Sequence, residues 1–289
     1  MRAIAPAKIN WTLEVLGPRA DGYHEVRTVM QTLDLGDELE FRAADAISLT
    51  VSGPLTAAED DLALRAARLL RDEAAPGRGA AVHLSKRVPV GCGLGGGSAD
   101  AAAVLRALSR LWETGWDEER LLPLAARLGS DVAFFLYGGT ALAAGRGERI
   151  TPLPDAPEAW LVLLAPALGI PGKTRLMYES LQPSDFTDGS RSEALVERLR
   201  HGRPLEPSLL HNAFERAAVA VFEGQGPRRQ ALLEAGARAV HLAGAGPALF
   251  ALTSGEAEAR AIRRRLDSSL GKAFVARTLT AAEARALVG

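Results

Sequence analysis

The chain has 289 residues, 47% of them hydrophobic, and its 34 lysines and arginines are matched by 35 aspartates and glutamates, giving a formal net charge of −1. This balance excludes a broad electrostatic attraction to nucleic acid or to an anionic membrane, so the expected partner is a small molecule. A single cysteine excludes a disulfide scaffold, and the lack of a long apolar run at the N-terminus or elsewhere predicts a cytoplasmic protein with no membrane partner.

The first half of the chain predicts a β-rich start covered by helices. Alternating hydrophobic residues and the turn signal Asp21-Gly22 indicate strands, and longer stretches with helical periodicity follow. The predicted strands are the later portion of 3–16, then 26–33, 37–42, 47–51 and 80–84. The predicted helices are 62–73, 98–111 and 117–128, followed by a short helical or turn segment at 132–136. Ser98 is a candidate N-cap of its helix, and glycines at 138–139 and 145–147 bracket a predicted hairpin.

A proline-rich stretch, Pro152, Pro154 and Pro157, is predicted to link two domains, 1–152 and 153–289. The predicted strands beyond it are 160–165, 239–242, 248–252 and 273–278, and the predicted helices are 174–181, 192–200, 212–222, one that ends near 235, and 256–266. This order predicts an antiparallel sheet covered by helices, and the whole chain is expected to have an α+β fold.

The segment from Pro89 to Ser98 has five glycines in seven positions and leads directly into an alanine-rich helix. Glycine tolerates positive φ and lets backbone N–H groups converge, and the helix adds unsatisfied N–H groups and the positive end of its dipole. Phosphate is the ligand that suits such a loop best. A turn without a ligand is disfavoured, because repeated glycine is entropically costly unless a close backbone approach requires it.

Two familiar phosphate-binding patterns overlap in this loop, and neither is complete. Gly91, Gly93 and Gly96 match the dinucleotide fingerprint, but the sequence continues as helix after helix, without a second strand that ends in an acidic residue. Gly91, Gly96 and Ser98 resemble a P-loop, but Gly97 stands where that motif has its lysine. A dehydrogenase and a P-loop ATPase are therefore both excluded.

Lysine is rare in this chain, since 30 of the 34 basic residues are arginines. The four lysines are Lys8, Lys86, Lys173 and Lys272. Lysine is a compact charge that a pocket can fit closely, so each of these positions is a candidate functional residue, with chance survival as the alternative.

Three segments resemble the three motifs of the GHMP small-molecule kinases in order and spacing. They are Pro6-Ala7-Lys8-Ile9-Asn10, the loop from Pro89 to Ala99, and the segment from Leu242 to Phe250. Within that superfamily, the combination of Lys8 and Asn10 with Asp21-Gly22-Tyr23-His24 and Gly129-Ser130-Asp131 is most similar to the kinases of the non-mevalonate isoprenoid pathway that act on the cytidine diphosphate derivative of methylerythritol. The resemblance covers nearly the whole chain.

The resemblance implies transfer of the γ-phosphoryl group of ATP to the 2-hydroxyl of that cytidine substrate. It implies an N-terminal domain like the second domain of ribosomal protein S5 and a GHMP C-terminal domain, with ATP in the cleft between them. Lys86 would approach the adenine. The triphosphate would lie on Pro89, Val90, Gly91, Cys92, Gly93, Leu94, Gly95, Gly96, Gly97, Ser98 and Ala99.

For the chemistry, the resemblance implies that Asp131 accepts the proton of the acceptor hydroxyl, while Lys8 pairs with Asp131 and stabilises the developing oxyanion. Taken from the residues alone, Asp131 is also explained as a cap of the helix after Gly129, and Lys8 as a solvated strand residue.

For recognition, the resemblance implies that Tyr23 and Tyr178 sandwich the cytosine, that His24 hydrogen-bonds its edge, and that Asn10 contacts the substrate near the reacting end. A pyrimidine needs aromatic faces to stack on and polar groups at its edge. The alternative for the two tyrosines is packing in the core or at its rim.

Magnesium is expected to arrive with ATP and to keep mostly water ligands, with the hydroxyl of Ser98 nearby. No protein metal site is expected, because the histidines His83, His201, His211 and His241 lack metal-ligand spacing. The third motif has Ala243 and Ala245 where the family often has serines, so a hydroxyl contact there is in doubt.

Two rival functions stay open at this point. One is a GHMP kinase for another alcohol, such as mevalonate, homoserine or a sugar, and the other is a nucleotide- or RNA-binding module without chemistry. The weak net charge argues against RNA, and the presence of both Lys8 and Asp131 argues against a non-catalytic protein. A monomer or weak homodimer is expected.

Overall fold

The computed structural model describes residues 1–53, 61–167, 170 and 172–288, which form two β-sheets covered by helices. The strands are β1 Arg2–Pro18, β2 His24–Ala44, β3 Ser48–Ser52, β4 Gly79–Ser85, β5 Thr140–Gly145, β6 Arg149–Pro152, β7 Trp160–Ala165, β8 His211–Asn212, β9 His241–Leu242, β10 Leu249–Thr253, β11 Lys272–Arg277 and β12 Leu287–Val288.

Ten α-helices are described, and they cover both sheets. The first of them follows β3 in the chain. They are α1 Leu62–Ala74, α2 Gly96–Leu111, α3 Glu118–Leu128, α4 Ser130–Tyr137, α5 Lys173–Glu179, α6 Ser190–Arg200, α7 Glu215–Val221, α8 Gln225–Glu234, α9 Glu256–Arg265 and α10 Ala281–Ala284. Short 3₁₀ helices lie at Pro183–Asp185, Pro207–Leu209 and Ser268–Leu270.

The larger sheet is built on the long antiparallel pair β1 and β2. Strand β4 pairs with one end of β2 and carries β3 in parallel, whereas β5 pairs with the other end of β2 and forms a hairpin with β6. The register of β1 against β2 shifts between Pro6 and Lys8 and again between Asn10 and Thr12. Since such bulges re-aim side chains, the two shifts frame the segment that carries Lys8 and Asn10.

Helix α2 lies at the centre of the first half, and every residue from Ala99 to Ser109 is buried. The run Ala101-Ala102-Ala103 combines high helix propensity with small side chains, which lets α1, α4 and β1 pack closely around this helix. The residues just before it form the glycine-rich loop, so the N-terminus of a firmly packed helix is aimed at that loop.

The smaller sheet has the strand order β11-β7-β10-β9, and each pairing is antiparallel. Its central strand β7 is buried from Leu161 to Ala165, because helices cover one face and the β1 side of the molecule covers the other. The predicted antiparallel sheet covered by helices is therefore confirmed, and so is the α+β class.

Strand β1 connects the two halves of the chain. It pairs with β2 on one side, while β8 and β12, from the second half of the sequence, pair with other parts of it. It is buried from Ala5 to Val15, which places Lys8 and Asn10 inside the molecule. The proposed division into 1–152 and 153–289 stays a prediction, since strands of the second segment join the first sheet.

The structure corrects three local predictions. The strands predicted at 26–33 and 37–42 are one continuous strand, and the helix predicted from Asn212 begins at Glu215. Ser98 is not the N-cap of α2. That helix begins two residues earlier because Gly95, with φ 75°, already turns the chain into it in the left-handed conformation.

Candidate active site

The glycine-rich loop needs its glycines for both conformation and space. Gly91, Gly93 and Gly95 have φ values of 71°, 85° and 75°, in the left-handed region. A Cβ added at Gly95 would lie 2.8 Å from the ring of Phe135 and 3.0 Å from Cγ of Lys8. The loop therefore approaches the catalytic candidate Lys8 as closely as a backbone can.

The loop also ends in an anion-binding arrangement. Helix α2 has no side-chain cap on its first N–H groups, so these donors are left for a ligand. A cavity of about 350 Å³ lies against the loop and is lined by Lys86 and the segment from Val88 to Ser98, with Val51, Asp61, Leu62 and Asp100. All of the predicted triphosphate residues except Ala99, which is buried behind the loop, line this cavity.

The third motif packs directly on the glycine-rich loop. The N–H of Ala248 donates to the carbonyl of Cys92 at 3.1 Å, and a Cβ at Gly244 would lie 2.7 Å from the carbonyl oxygen of Gly93. Asn212 holds this motif from below by donating to the carbonyls of Leu242 and Gly244. Ala243 is fully buried, so the structure has no room for a ligand at that side chain.

Lys8 and Asp131, 123 positions apart, meet in the structure. Nζ of Lys8 lies 3.5 Å from Oδ2 of Asp131 and donates to Oδ1 of Asn10 at 2.9 Å. Asn10 in turn donates to the hydroxyl of Thr28 at 2.7 Å, which fixes the amide. Lys8 is 4% exposed, so it is not a solvated strand residue, and Asp131 lies in the first turn of α4 rather than at its cap, which is Gly129.

A second cavity, of about 160 Å³, opens between this pair and the glycine-rich loop. Its lining includes the predicted residues Lys8, Asn10, Asp131 and Tyr178, and Gly93 and Gly95 face it as well. Because Gly93 and Gly95 also face the larger cavity, a ligand in one cavity can reach a ligand in the other across the loop. Phosphoryl transfer requires this geometry, with donor and acceptor held on either side of one point.

Lys86 does not present its ammonium group to the larger cavity. Its Nζ donates to Oδ2 of Asp37 at 2.5 Å and to Oδ2 of Asp100 at 2.6 Å, and all three side chains are buried. Oδ1 of Asp37 also accepts from the N–H groups of Arg87 and Val88. A contact of Lys86 with adenine would therefore involve its aliphatic chain or backbone rather than its charge.

The cluster of Asp37, Lys86 and Asp100 contains two carboxylates and one ammonium group. Burial acts to lower the pKa of Lys86, but the carboxylates of Asp100 and Asp37 outweigh it and raise that pKa. Burial raises the pKa of Asp100 to about 8, and Oδ1 of this residue has no hydrogen-bond partner among the described residues. Burial therefore favours the protonated form of Asp100 in this cluster.

The aromatic residues lie at the outer end of the smaller cavity. The rings of His24 and Tyr178 stack with centroids 5.0 Å apart, and Phe214 packs edge-on against Tyr178 at 4.9 Å. Tyr23 is 54% exposed, and the guanidinium of Arg146 lies 4.7 Å from its ring centroid. The structure therefore brings Tyr178 and His24 together, but it places Tyr23 at the rim, against Arg146 rather than opposite Tyr178.

Several polar residues of this region were not predicted as site residues. Arg146 and Lys173 line the smaller cavity, and Asp37 and Asp100 hold Lys86. A signal existed for Asp100, which is the only charged residue between Gly91 and Val104. Lys173 was marked by the rarity of lysine, whereas nothing in the local sequence pattern separates Arg146 from the chain's other arginines.

Among the described residues, no group of three or more histidine, cysteine, aspartate or glutamate side chains could hold a metal ion. None of the described helices is both long enough and apolar enough to cross a membrane.

A glycine-cradled anion site beside a buried lysine–aspartate pair defines a small-molecule phosphotransferase. Comparison with known families agrees, since the models of the GHMP kinases N terminal domain and the GHMP kinases C terminal domain match residues 61–139 and 193–273. Kinases of this class use ATP as the phosphoryl donor.

Similarity to individual proteins is more specific. A 4-diphosphocytidyl-2-C-methyl-D-erythritol kinase of Dehalococcoides mccartyi is 42% identical over 277 residues, which cover 96% of this chain and 97% of the relative. The crystal structure of a 4-(cytidine 5'-diphospho)-2C-methyl-D-erythritol kinase matches with a TM-score of 0.82 at 38% identity, over 96% of this chain and 99% of that one. The chain belongs to the GHMP kinases, in the family of the 4-diphosphocytidyl-2-C-methyl-D-erythritol kinases.

A more distant match shows the fold alone. The structure of a homoserine kinase from Cytophaga hutchinsonii matches with a TM-score of 0.72 at 21% identity, over 97% of this chain and 94% of that one. The architecture is therefore shared between kinases of different alcohols, and the family is decided by sequence identity rather than by fold.

Proposed function

We propose that this protein transfers the γ-phosphoryl group of ATP to the 2-hydroxyl of 4-diphosphocytidyl-2-C-methyl-D-erythritol. The observation that carries the proposal is the Lys8–Asp131 pair, 3.5 Å apart, in a cavity that reaches the glycine-rich loop. The 42% identical relative carries the name of this kinase, which favours the cytidine substrate over mevalonate, homoserine or a sugar.

Asp131 is the group that we assign to the acceptor hydroxyl. Its side chain is 36% exposed and it lines the smaller cavity, so an alcohol bound there can donate its proton to a carboxylate oxygen. As that proton leaves, negative charge grows on the attacking oxygen. Lys8, held in place by Asn10, is positioned to stabilise this charge without moving.

The residues around the glycine-rich loop fit a nucleoside triphosphate. Free N–H groups at the start of α2 and the left-handed glycines suit phosphate oxygens, and the larger cavity of about 350 Å³ extends from the loop toward Lys86. The nearby acidic side chains of Asp37 and Asp100 are both paired with Lys86. We therefore expect Mg²⁺ to be carried by the nucleotide with mainly water ligands, near the hydroxyl of Ser98.

Recognition of the cytidine end is assigned to the aromatic residues. Burial raises the pKa of Tyr178 to about 12, so its ring stays neutral and offers a flat apolar face. His24 lies on that face, and a base that stacks on Tyr178 would have to displace or share this contact. Arg146, over the exposed ring of Tyr23, is placed to meet a negatively charged diphosphate.

Replacing Tyr23 tests this assignment. Since stacking of a base on an aromatic ring is worth roughly 1–3 kcal/mol, Tyr23→Ala should raise KM for the cytidine substrate about tenfold and leave KM for ATP nearly unchanged. Equal effects on both constants would refute stacking.

The decisive experiment is to measure ADP release from ATP and Mg²⁺ with and without 4-diphosphocytidyl-2-C-methyl-D-erythritol, beside mevalonate, homoserine and galactose. Turnover that depends on the cytidine substrate supports the proposal. Activity on another alcohol alone would keep the kinase and reject the substrate, and no activity on any alcohol would favour a binding module. The expectations of a monomer or weak homodimer, a cytoplasmic location and no nucleic-acid partner belong to the same proposal.

A further inference from the structure

Lys173 is a charged residue of the cleft for which the mechanism above has no use. It is the first residue of α5, and its side chain points into the smaller cavity together with Lys8 and Asp131. Its Nζ donates to the carbonyl oxygen of Gly246 in the third motif. The partner of this ammonium group is therefore a neutral carbonyl, whereas Lys8 faces a carboxylate.

The surroundings of Lys173 disfavour its charge in the absence of an anion. Burial, followed by the neighbouring ammonium group of Lys8, lowers the pKa of Lys173 to about 8, although Cys92 and Asp131 act in the opposite direction. The other charged or titratable side chains lining this cavity are Arg146 and Tyr178. With three cations and one carboxylate, the cavity carries an excess of positive charge that a phosphoryl group would neutralise.

The position of Lys173 indicates which phosphoryl group it meets. Its neighbours belong to three elements: Cys92 in the glycine-rich loop lines the larger cavity, Asp131 in α4 lines the smaller one, and Gly246 lies in the third motif. A phosphoryl group transferred from the loop to an alcohol at Asp131 would therefore pass close to Lys173. Lys8 is already held by Asn10 and Asp131 on the acceptor side.

We propose that Lys173 is a second catalytic cation, which contacts the transferring γ-phosphoryl group on the side opposite Lys8. Lys8 would stabilise the attacking oxygen, and Lys173 would stabilise the equatorial oxygens of the phosphoryl group as they carry the charge of the transition state. The proposal rests on the proposed kinase function.

Kinetics of Lys173→Met and Lys173→Arg test the proposal, with Arg175→Gln as the matched control. Arg175 lies on the same helix, is largely exposed and pairs with Glu179 outside the cavity. Since one donor to developing charge is worth about 10²–10³ in kcat, Lys173→Met should lower kcat by about 10² while KM for the cytidine substrate stays within about twofold. Arg175→Gln should leave both constants unchanged.

The pH profile separates a charge effect from a structural one. In the wild type kcat/KM for ATP should fall as the pH rises through about 8, because the free enzyme loses the proton of Lys173. Lys173→Arg should move this fall to higher pH and retain more activity than Lys173→Met. A Lys173→Met enzyme that folds and turns over within threefold of the wild type, or that keeps the wild-type fall near pH 8, would overturn the proposal.

Nucleotide binding provides a readout that does not depend on the acceptor. In titration calorimetry the wild type should bind ATP more tightly than ADP. Lys173→Met should lower the ratio of the Kd for ADP to the Kd for ATP at least tenfold. An unchanged preference would count against Lys173 even in an active enzyme. A preference that depends on Lys173 in a protein inactive on the cytidine substrate would support Lys173 and reject the proposed substrate.

Discussion

Two buried lysines face carboxylates in this molecule, and they differ in how completely each is satisfied. Lys8 lies 3.5 Å from one carboxylate, Asp131, whose side chain is 36% exposed. Lys86 lies 2.5 and 2.6 Å from two, Asp37 and Asp100, whose side chains are 0% and 3% exposed. The same chemical groups thus build a reactive site where one carboxylate is open to a ligand, and a structural clamp where both are sealed.

The largest effect is expected at the open site. Asp131→Asn removes the proposed proton acceptor but keeps the size of the side chain, and Lys8 keeps its bond to Asn10. Since general base catalysis contributes about 10²–10⁴, kcat should fall by that factor with an unchanged melting temperature, and Lys8→Ala should lose a similar amount. Asp72→Asn, at an exposed aspartate, serves as the control. Near-native turnover in both site variants would contradict the assignment of Lys8 and Asp131 as the catalytic pair.

The sealed site should respond in stability instead. Lys86→Met leaves two buried carboxylates without their cation, and breaking a buried ion pair costs about 3–5 kcal/mol. The melting temperature should therefore drop by many degrees, and KM for ATP should rise because Asp37 no longer fixes the start of the loop through Arg87 and Val88. Lys272→Met, at an exposed lysine, is the matched control. A Lys86→Met enzyme as stable as this control would contradict the structural assignment.

The smallest effect is expected for Asp100→Asn, which tests the Lys86 site through the pH dependence of stability. Because the pKa of Asp100 is raised to about 8 in the folded protein, the folded state binds more protons than the unfolded state above pH 4, and stability is lost as the pH rises toward 8. The Asp100→Asn variant should not lose stability in this way, because asparagine does not titrate. In thermal unfolding, the stability of the asparagine variant relative to the wild type should therefore be higher at pH 8.5 than near pH 5. An equal relative stability at both pH values would show that Asp100 is ionised.

Local patterns in the sequence predict most of the fold. The strands β4 and β7 and the helices α1, α3 and α6 lie within a few residues of their predicted bounds, because hydrophobic periodicity and turn residues are local signals. Strands β8 and β12 have two residues each, too few for any period to show. Their pairing with β1 is decided by tertiary contacts.

The site was predictable in part, and the reason lies in the range of its interactions. The glycine-rich loop could be predicted because its conformation is determined by neighbouring glycines in the sequence. The meeting of Lys8 with Asp131 depends on α2, which packs against both α4 and β1, and was expected only through resemblance to a family. The partners of Lys86 escaped prediction, since Asp37 and Asp100 are 49 and 14 positions away and no local pattern relates either of them to Lys86.

Strand β1 joins the two ends of the cleft unequally. Through Lys8 it joins the glycine-rich loop to the acceptor side, because the backbone N–H of this residue donates to the carbonyl of Leu94 in the loop at 2.9 Å while the side chain faces Asp131. The aromatic end, by contrast, is made of Tyr23 in the turn before β2, His24 at the start of β2 and Tyr178 in α5. Replacing these aromatic side chains would leave Lys8, Asp131 and the glycine-rich loop unchanged, so recognition of the far end of the substrate can change independently of phosphoryl transfer.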